Sequence, residues 1–472
     1  MATWKRKRWG KFAGLGGAAG LALLIGTAGR WERYSSPTLS PIKMIWVRST
    51  QPLGLTPQSW PTFHRSFNNN SAFVDSGAPS GPSYLMQLPT LASSDSPVVN
   101  HRLLVNLSEA GGRADGVYPG FTMAILPRNG HVLWKQQMPN SVPSEPVVAD
   151  HLVFVGEGNA VFRSRFRFPI PAILGNTVRG TGPSAVLAYS ATTGRLVWKY
   201  PTVGSDQPSP TVYQGRLYVV NGSRRLDVLD PKTGRFIWGC NLGVYVSRSS
   251  PRIANETLYV GGGGPDEVVA VNLVTHRVIW RVHFLKAIGA VDDTPLALSG
   301  NQIYGETMVG SPYVPLLNAD HHQTLFALNA LNGRLLWRKK LAFGFEPRYK
   351  QGSTPMIHGN VVYVGNAING KFFAFNRFTG RLLWFVRLPD PVTRPAVWVH
   401  GFVVGITSHG RLFAVNQGGT GLRTLRIARW VNAFGPVLID RTLFVAGNSP
   451  HRGYLAAVPL DRLILAPRQR AL

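Results

Sequence analysis

Acidic residues are scarce in this chain. Among 472 residues, 22 Asp and Glu stand against 50 Lys and Arg, a formal charge of +28. Such a surface attracts anions and anionic lipid in a salt-dependent way. The shortage of carboxylates also suits an acidic medium, where those groups would be protonated. Nucleic acid is not the expected partner, because the basic residues are scattered singly outside the N-terminus and no recognition helix or RNA-binding signature accompanies them. Cysteine is almost missing: Cys240, in "IWGCNLG", is alone. It can form no disulfide within the chain, reports nothing about redox compartment, and reads as a small hydrophobe at a strand end. Zinc-ligand spacings, phosphate-cradling loops and nucleophile elbows are absent as well.

Long apolar runs are lacking. The single candidate, "FAGLGGAAGLALLIGTAG", follows the basic "MATWKRKRWGK" and is short and weakly hydrophobic for a stable span. Residues 1–29 are expected to be an export signal, or a short membrane anchor if uncleaved. With no cysteine after the run, a bacterial lipid anchor is not expected. Residues 30–58 read as linker and residues 59–472 as one domain. The location expected is periplasmic or otherwise extracytoplasmic.

What is abundant is periodic. Gly (51) and Pro (35) are spread along the whole chain, as many short strands joined by turns require. A Pro followed by two short apolar runs around a polar turn recurs at Pro97, Pro146, Pro210, Pro251, Pro295, Pro355, Pro395 and Pro436. A second half-unit, seen in "ALNALNGRLLW" and "AFNRFTGRLLW", places a small residue, then a turn, then a tryptophan: Trp134, Trp198, Trp238, Trp280, Trp337 and Trp384. Two hairpins per unit of about 40 residues describe a four-stranded propeller blade, so the fold expected is an all-β, eight-bladed β-propeller. Each Trp is expected to lie over small residues and seal the joint to a neighbouring blade. The seventh unit has Thr424 where Trp is expected. The eighth lacks a last strand, which residues around 84–88 are expected to donate, with Met86 in the Trp position.

The repeated "A-x-N/D-x-x-T/N-G-R-x-x-W", clearest as "VLDPKTGRFIW" and "AFNRFTGRLLW", resembles the pyrroloquinoline-quinone-like β-propeller family. "SWPTFHRSFNNN" resembles the segment before the first blade in that family. The resemblance implies the fold more strongly than the function, because the family holds quinoprotein dehydrogenases, an outer-membrane assembly lipoprotein and tetrathionate hydrolases. The dehydrogenases typically carry an adjacent cysteine pair, which is absent here. No quinone, no calcium and no other cofactor is therefore expected. Two readings stay open. One is a binding or assembly module of the bacterial envelope, with an envelope protein as partner. The other is an enzyme acting on a small anion, similar to tetrathionate hydrolase. A quinoprotein dehydrogenase stands behind both.

Residues just before each innermost strand should crowd one mouth of the axis: Asp95, Glu145, Asp206, Arg248, Asp292, Asp293, Gln351 and Arg394. Converging charges of both signs suit a binding or catalytic site. "AVDDTPLAL" is the sharpest feature. On a strand Asp292 and Asp293 would point to opposite sides, leaving one of them to act as general acid or base. Arg248 and Arg394 are candidates for an anion; alternatively the acids cap turns and the arginines bridge blades. Two insertions break the rhythm. Residues 159–180 are basic and aromatic and could cover the funnel, meet a partner or touch a membrane surface. Residues 305–324 hold Asp320, His321 and His322, whose spacing supplies no third metal ligand.

Overall fold

The computed structural model describes residues 72–73, 83–92, 98–99, 102–109, 117–163, 178–309, 321–344 and 352–465, apart from single positions 286, 288, 428, 431 and 440. The expected export segment and linker, Asp95, Asp320 and Gln351 lie outside the described residues. Among those described, no helix is long and apolar enough to cross a membrane.

Eight antiparallel sheets follow one another along the chain, each closed by hairpins. Blade 2 is typical: Val147–Ala149 innermost, then Leu152–Glu157, Ala185–Ser190 and Leu196–Pro201 at the rim. The inner strands of successive blades lie against one another, which makes the arrangement radial. Inner and middle strands are buried on both faces, whereas the rim strand of blade 2 buries one Trp between exposed neighbours. The eighth sheet is completed from the other end of the chain. Tyr84–Gln87 pairs antiparallel with Gly453–Pro459, Met86 opposite Leu455. Residues Ala72–Phe73 add a parallel strand to Val437–Ile439, a second N-terminal contribution that the repeat pattern did not reveal.

The tryptophans act one blade ahead. Within its own sheet each faces the small residue that opens the motif, as Ala327 faces Trp337. Its ring then covers the turn glycine of the next blade. A Cβ on Gly194 would meet Trp134 at 2.6 Å, on Gly234 Trp198 at 2.7 Å, and on Gly380 Trp337 at 2.7 Å. The indole N–H donates to a carbonyl beside that turn: Trp134 to Ala191 (3.1 Å), Trp198 to Pro231 (2.9 Å), Trp280 to Ala330 (3.1 Å), Trp337 to Arg377 (2.8 Å) and Trp384 to Gln417 (2.9 Å). Where the turn carries His276 instead of glycine, Trp238 stacks on the imidazole at 4.0 Å. Burying one indole contributes at most roughly 4–6 kcal/mol by area. At the eighth joint Tyr84, not the expected Met86, stands opposite the small residue Ala457, and its hydroxyl donates to Pro127 O beside the next turn at 2.8 Å. Met86, two residues on, covers that turn, its sulfur 2.7 Å from a Cβ built on Gly130. In blade 7 the residue opposite Ala414 is Arg423 rather than the expected Thr424, and its guanidinium donates to Ile464 O of the last helix, Leu460–Ile464. Trp430 covers Gly447 within a strand of blade 8.

Candidate active site

The loops that enter the inner strands are tied together by serines. Ser144, Ser249 and Ser353 accept from the amides of Gly156, Gly261 and Gly365 at 2.8, 3.0 and 3.0 Å. Ser209 accepts from Glu145 N–H (2.8 Å), and Ser250 from Ser209 N–H (2.9 Å). Turn-capping therefore accounts for the serines. It does not account for the acids at blade 5.

Asp292 and Asp293 lie in a turn rather than on a strand. The amides of Asp293 and Thr294 both donate to Ala290 O (3.2 and 2.8 Å), and Ala290 has φ +74°. The expected divergence of the two side chains does not occur: both carboxylates meet one guanidinium. That group is Arg179, whose Nη1 lies 3.6 Å from Asp292 Oδ2 and 3.6 Å from Asp293 Oδ1 and also contacts Ser247 Oγ. Ser247 donates to Asp292 Oδ2 at 2.6 Å. The backbone amides of Arg248 and Ser249 donate to Asp292 O, each at 2.9 Å.

Arg179 comes from the base of the first insertion, where Phe162–Arg163 pairs with Val178–Arg179. This ribbon leaves blade 2 and rests on blade 3. Arg179 N–H donates to Gly222 O (3.0 Å), and Ser205 N–H donates to Arg179 O (2.7 Å). Gly222 is required for the approach, since a Cβ there would stand 2.2 Å from Arg179 O. The side chain then reaches loops entering blades 4 and 5.

Burial shapes the chemistry of this cluster. The Asp292 side chain is 6% exposed, against 15% for Asp293 and 13% for Arg179. Desolvation, then the charges of Asp293 and Asp266, push the Asp292 carboxyl up to about 8, while Arg179 and Ser247 oppose the shift. Tyr245, influenced by the same charges, is raised chiefly by burial. Burial thus favours the protonated form of Asp292, beside the more accessible Asp293, with one guanidinium meeting both.

Asp206 is 1% exposed, accepts from the Thr202 hydroxyl, and is pushed up to about 8 by burial. Glu145 is buried and acts electrostatically on Arg252, a fully buried arginine of the innermost strand of blade 4. Arg252 donates Nε–H to Leu296 O at 2.8 Å, and burial lowers its pKa to about 9. Arg394 stacks over Phe434 at 4.8 Å. Arg248 brings its backbone to Asp292. His322 packs against Phe343, ring centroids 5.0 Å apart. Among the described residues no three His, Cys, Asp or Glu are grouped to hold a metal ion.

Two functional candidates escaped the sequence reading, Arg179 and Glu306. Glu306 is fully buried in the second strand of blade 5, where blades 2, 4 and 6 carry glycine. Its Oε2 accepts from Ser353 N–H (2.7 Å) and Gln323 Nε2 (2.8 Å), and burial raises its pKa well above the usual range. Cys240 lies on the rim strand Phe236–Asn241 of blade 3, half-buried, so no cysteine pair stands at the mouth to cover a quinone.

The wheel of tryptophan-sealed sheets defines a repeat β-propeller. More particularly, residues 116–243 and 225–461 match the family model described as outer membrane protein assembly factor BamB. The chain belongs to this pyrroloquinoline-quinone-like repeat family. Among curated relatives, the tetrathionate hydrolase of Acidithiobacillus ferrooxidans is 23% identical over 355 residues, covering 73% of this chain and 70% of that protein. The tetrathionate hydrolase of Acidianus ambivalens is 27% identical over 371 residues, 73% and 68% of the two chains. Among solved structures, BamB from Moraxella catarrhalis superposes with a TM-score of 0.54 at 14% identity, covering 80% of this chain and all of that one; that likeness concerns the fold.

Proposed function

We propose that this propeller is an extracytoplasmic hydrolase of small sulfur oxyanions of the polythionate class, acting at the Asp292–Asp293–Arg179 cluster. The observation that carries the reading is two adjacent carboxyl groups, one deeply buried, that share one guanidinium. The two relatives named tetrathionate hydrolase, each matched over about two thirds of its length or more, support the substrate class. In this scheme Arg179 binds a sulfonate end of the anion. Asp293 takes a proton from the attacking water, whose oxygen bonds to a sulfonate sulfur as that sulfur's bond to its sulfur neighbour breaks. From tetrathionate this gives sulfate and a three-sulfur monosulfonate, which sheds one sulfur atom to leave thiosulfate. Asp292, still protonated in acid, hydrogen-bonds or protonates the departing sulfur. The scheme asks for no quinone and no metal.

The test is turnover of tetrathionate by the purified full chain at acidic pH, with sulfate, thiosulfate and elemental sulfur quantified. Asp292→Asn and Asp293→Asn should each lower kcat by about a hundredfold or more, the scale of acid–base catalysis. Unchanged turnover in both variants would overturn the assignment. The family match over residues 116–461 favours one second reading, a non-enzymatic binding module of the envelope. A folded wild-type chain that leaves tetrathionate intact would select it.

A further inference from the structure

The rim of blades 5 and 6 is rich in cations and poor in acids. Between residues 321 and 389 the chain has ten Lys and Arg and a single acid, Glu346. Blades 3 and 4, by contrast, hold Asp227, Asp230, Glu256, Asp266 and Glu267. The rim strands Leu335–Gly344 and Leu382–Arg387 are sheet edges, and they are neighbours, because Trp337 of the first seats on Gly380 just before the second.

Both strands turn apolar and cationic side chains outward together. On the first, Leu335 is 44% and Phe343 55% exposed, with Arg338 and Lys340 exposed between them. On the second, Leu382 (43%), Leu383 (38%) and Phe385 (42%) are exposed between Arg381 and Arg387. Cations on an edge strand guard against edge-to-edge pairing, which accounts for the arginines and lysines. Exposed apolar residues precede the Trp on blades 1, 2 and 3 as well (Val132 and Leu133, Leu196 and Val197, Phe236 and Ile237). What blades 5 and 6 add is two half-exposed rings, Phe343 beside His322 and Phe385 beside Phe373.

We propose that this rim docks the propeller edge-on to an anionic phospholipid surface. The leucines and phenylalanines would enter the headgroup layer while Arg338, Lys340, Arg381 and Arg387 pair with phosphates. Charge complementarity selects this occupant. A second copy of the chain would present the same excess of cations and be repelled. A lipid interface offers negative charge and an apolar layer a few ångströms apart, matching side chains that alternate in the same way along an extended strand. Docked through the rim, the propeller leaves its mouth open to water.

The test uses the full chain with Cys240→Ser and Leu383→Cys, the new thiol carrying an environment-sensitive fluorophore. Probes are phosphatidylcholine vesicles with and without phosphatidylglycerol. The expected result is a blue shift on anionic vesicles that neutral vesicles and high salt abolish. Arg381→Gln with Arg387→Gln should weaken partitioning about 25-fold, about fivefold per cation near an anionic surface. The basic N-terminal segment could hold the chain on vesicles by itself, so the label decides: binding without a blue shift at position 383 overturns the proposal. So does unaltered partitioning of the double variant, a shift that grows with protein concentration alone, or one produced only by a soluble polyanion.

Discussion

The buried carboxyls make this fold an acid-favoured one, and Asp206 allows the point to be measured. It is 1% exposed and beside Glu157 and Asp227, which add to the rise that burial causes. Its folded-state value of about 8 compares with an ordinary 3.8. Between those values the native state holds a proton that the unfolded state has released. Stability is therefore fully present below about pH 4 and falls as pH rises toward 8. The slope is about −1.4 kcal/mol per pH unit for one such group. Asp292 moves in the same direction through the same window, and Glu306 is also raised. His358, lowered by burial, works the opposite way below its ordinary value.

Asp206→Asn isolates one contribution, because it keeps the shape and removes the titration. Urea unfolding of both proteins at about pH 5 and about pH 7 should show the wild type losing about 3 kcal/mol more than the variant over that interval. Parallel pH dependences would mean that Asp206 releases its proton in the native state as readily as in the unfolded chain. Burial would then not hold the proton on this carboxyl.

Two other substitutions probe the cluster and the joints. Arg179→Gln should lower kcat/KM for a polythionate by about tenfold to a hundredfold, mainly through KM, with partial recovery in Arg179→Lys; steady-state kinetics with an unchanged KM would remove Arg179 as the anion ligand. Gly359 and Gly380 both have positive φ, +55° and +65°, but a Cβ meets nothing within 4 Å at the first and Trp337 at 2.7 Å at the second. Gly359→Ala should cost about 1 kcal/mol of backbone strain, and Gly380→Ala a further ~1–3 kcal/mol of overpacking; equal losses in denaturant titrations would show that the indole does not wedge the joint.

The propeller was legible because its defining contact is repeated. Each Trp meets the turn glycine one blade ahead, so the spacing in "NALNGRLLW" returns wherever the same joint is built. The departures were misplaced by a residue or two: Tyr84 rather than Met86 stands at the Trp position of the strand that closes the ring, and Arg423 rather than Thr424 in blade 7. The site was read less well, for reasons specific to particular residues. Arg248 and Arg394 were chosen because they precede inner strands, yet Arg394 spends its guanidinium over Phe434. The cation that reaches Asp292 comes from an insertion, where no period exists to align it. Glu306 was hidden by one residue. Val147, the first residue after Pro146, faces Phe154, whereas in blade 5 it is the second residue after Pro295, Ala297, that faces Tyr304. Counting from the proline puts Gly305 in the glycine column, while the register puts Glu306 there. The added residue between Pro295 and Ala297 borders the turn that brings Asp292 and Asp293 to the same side. The chemistry thus gathers where the repeat is interrupted, at a lengthened blade entrance and an inserted ribbon. Changes there can alter the site while every tryptophan joint stays intact.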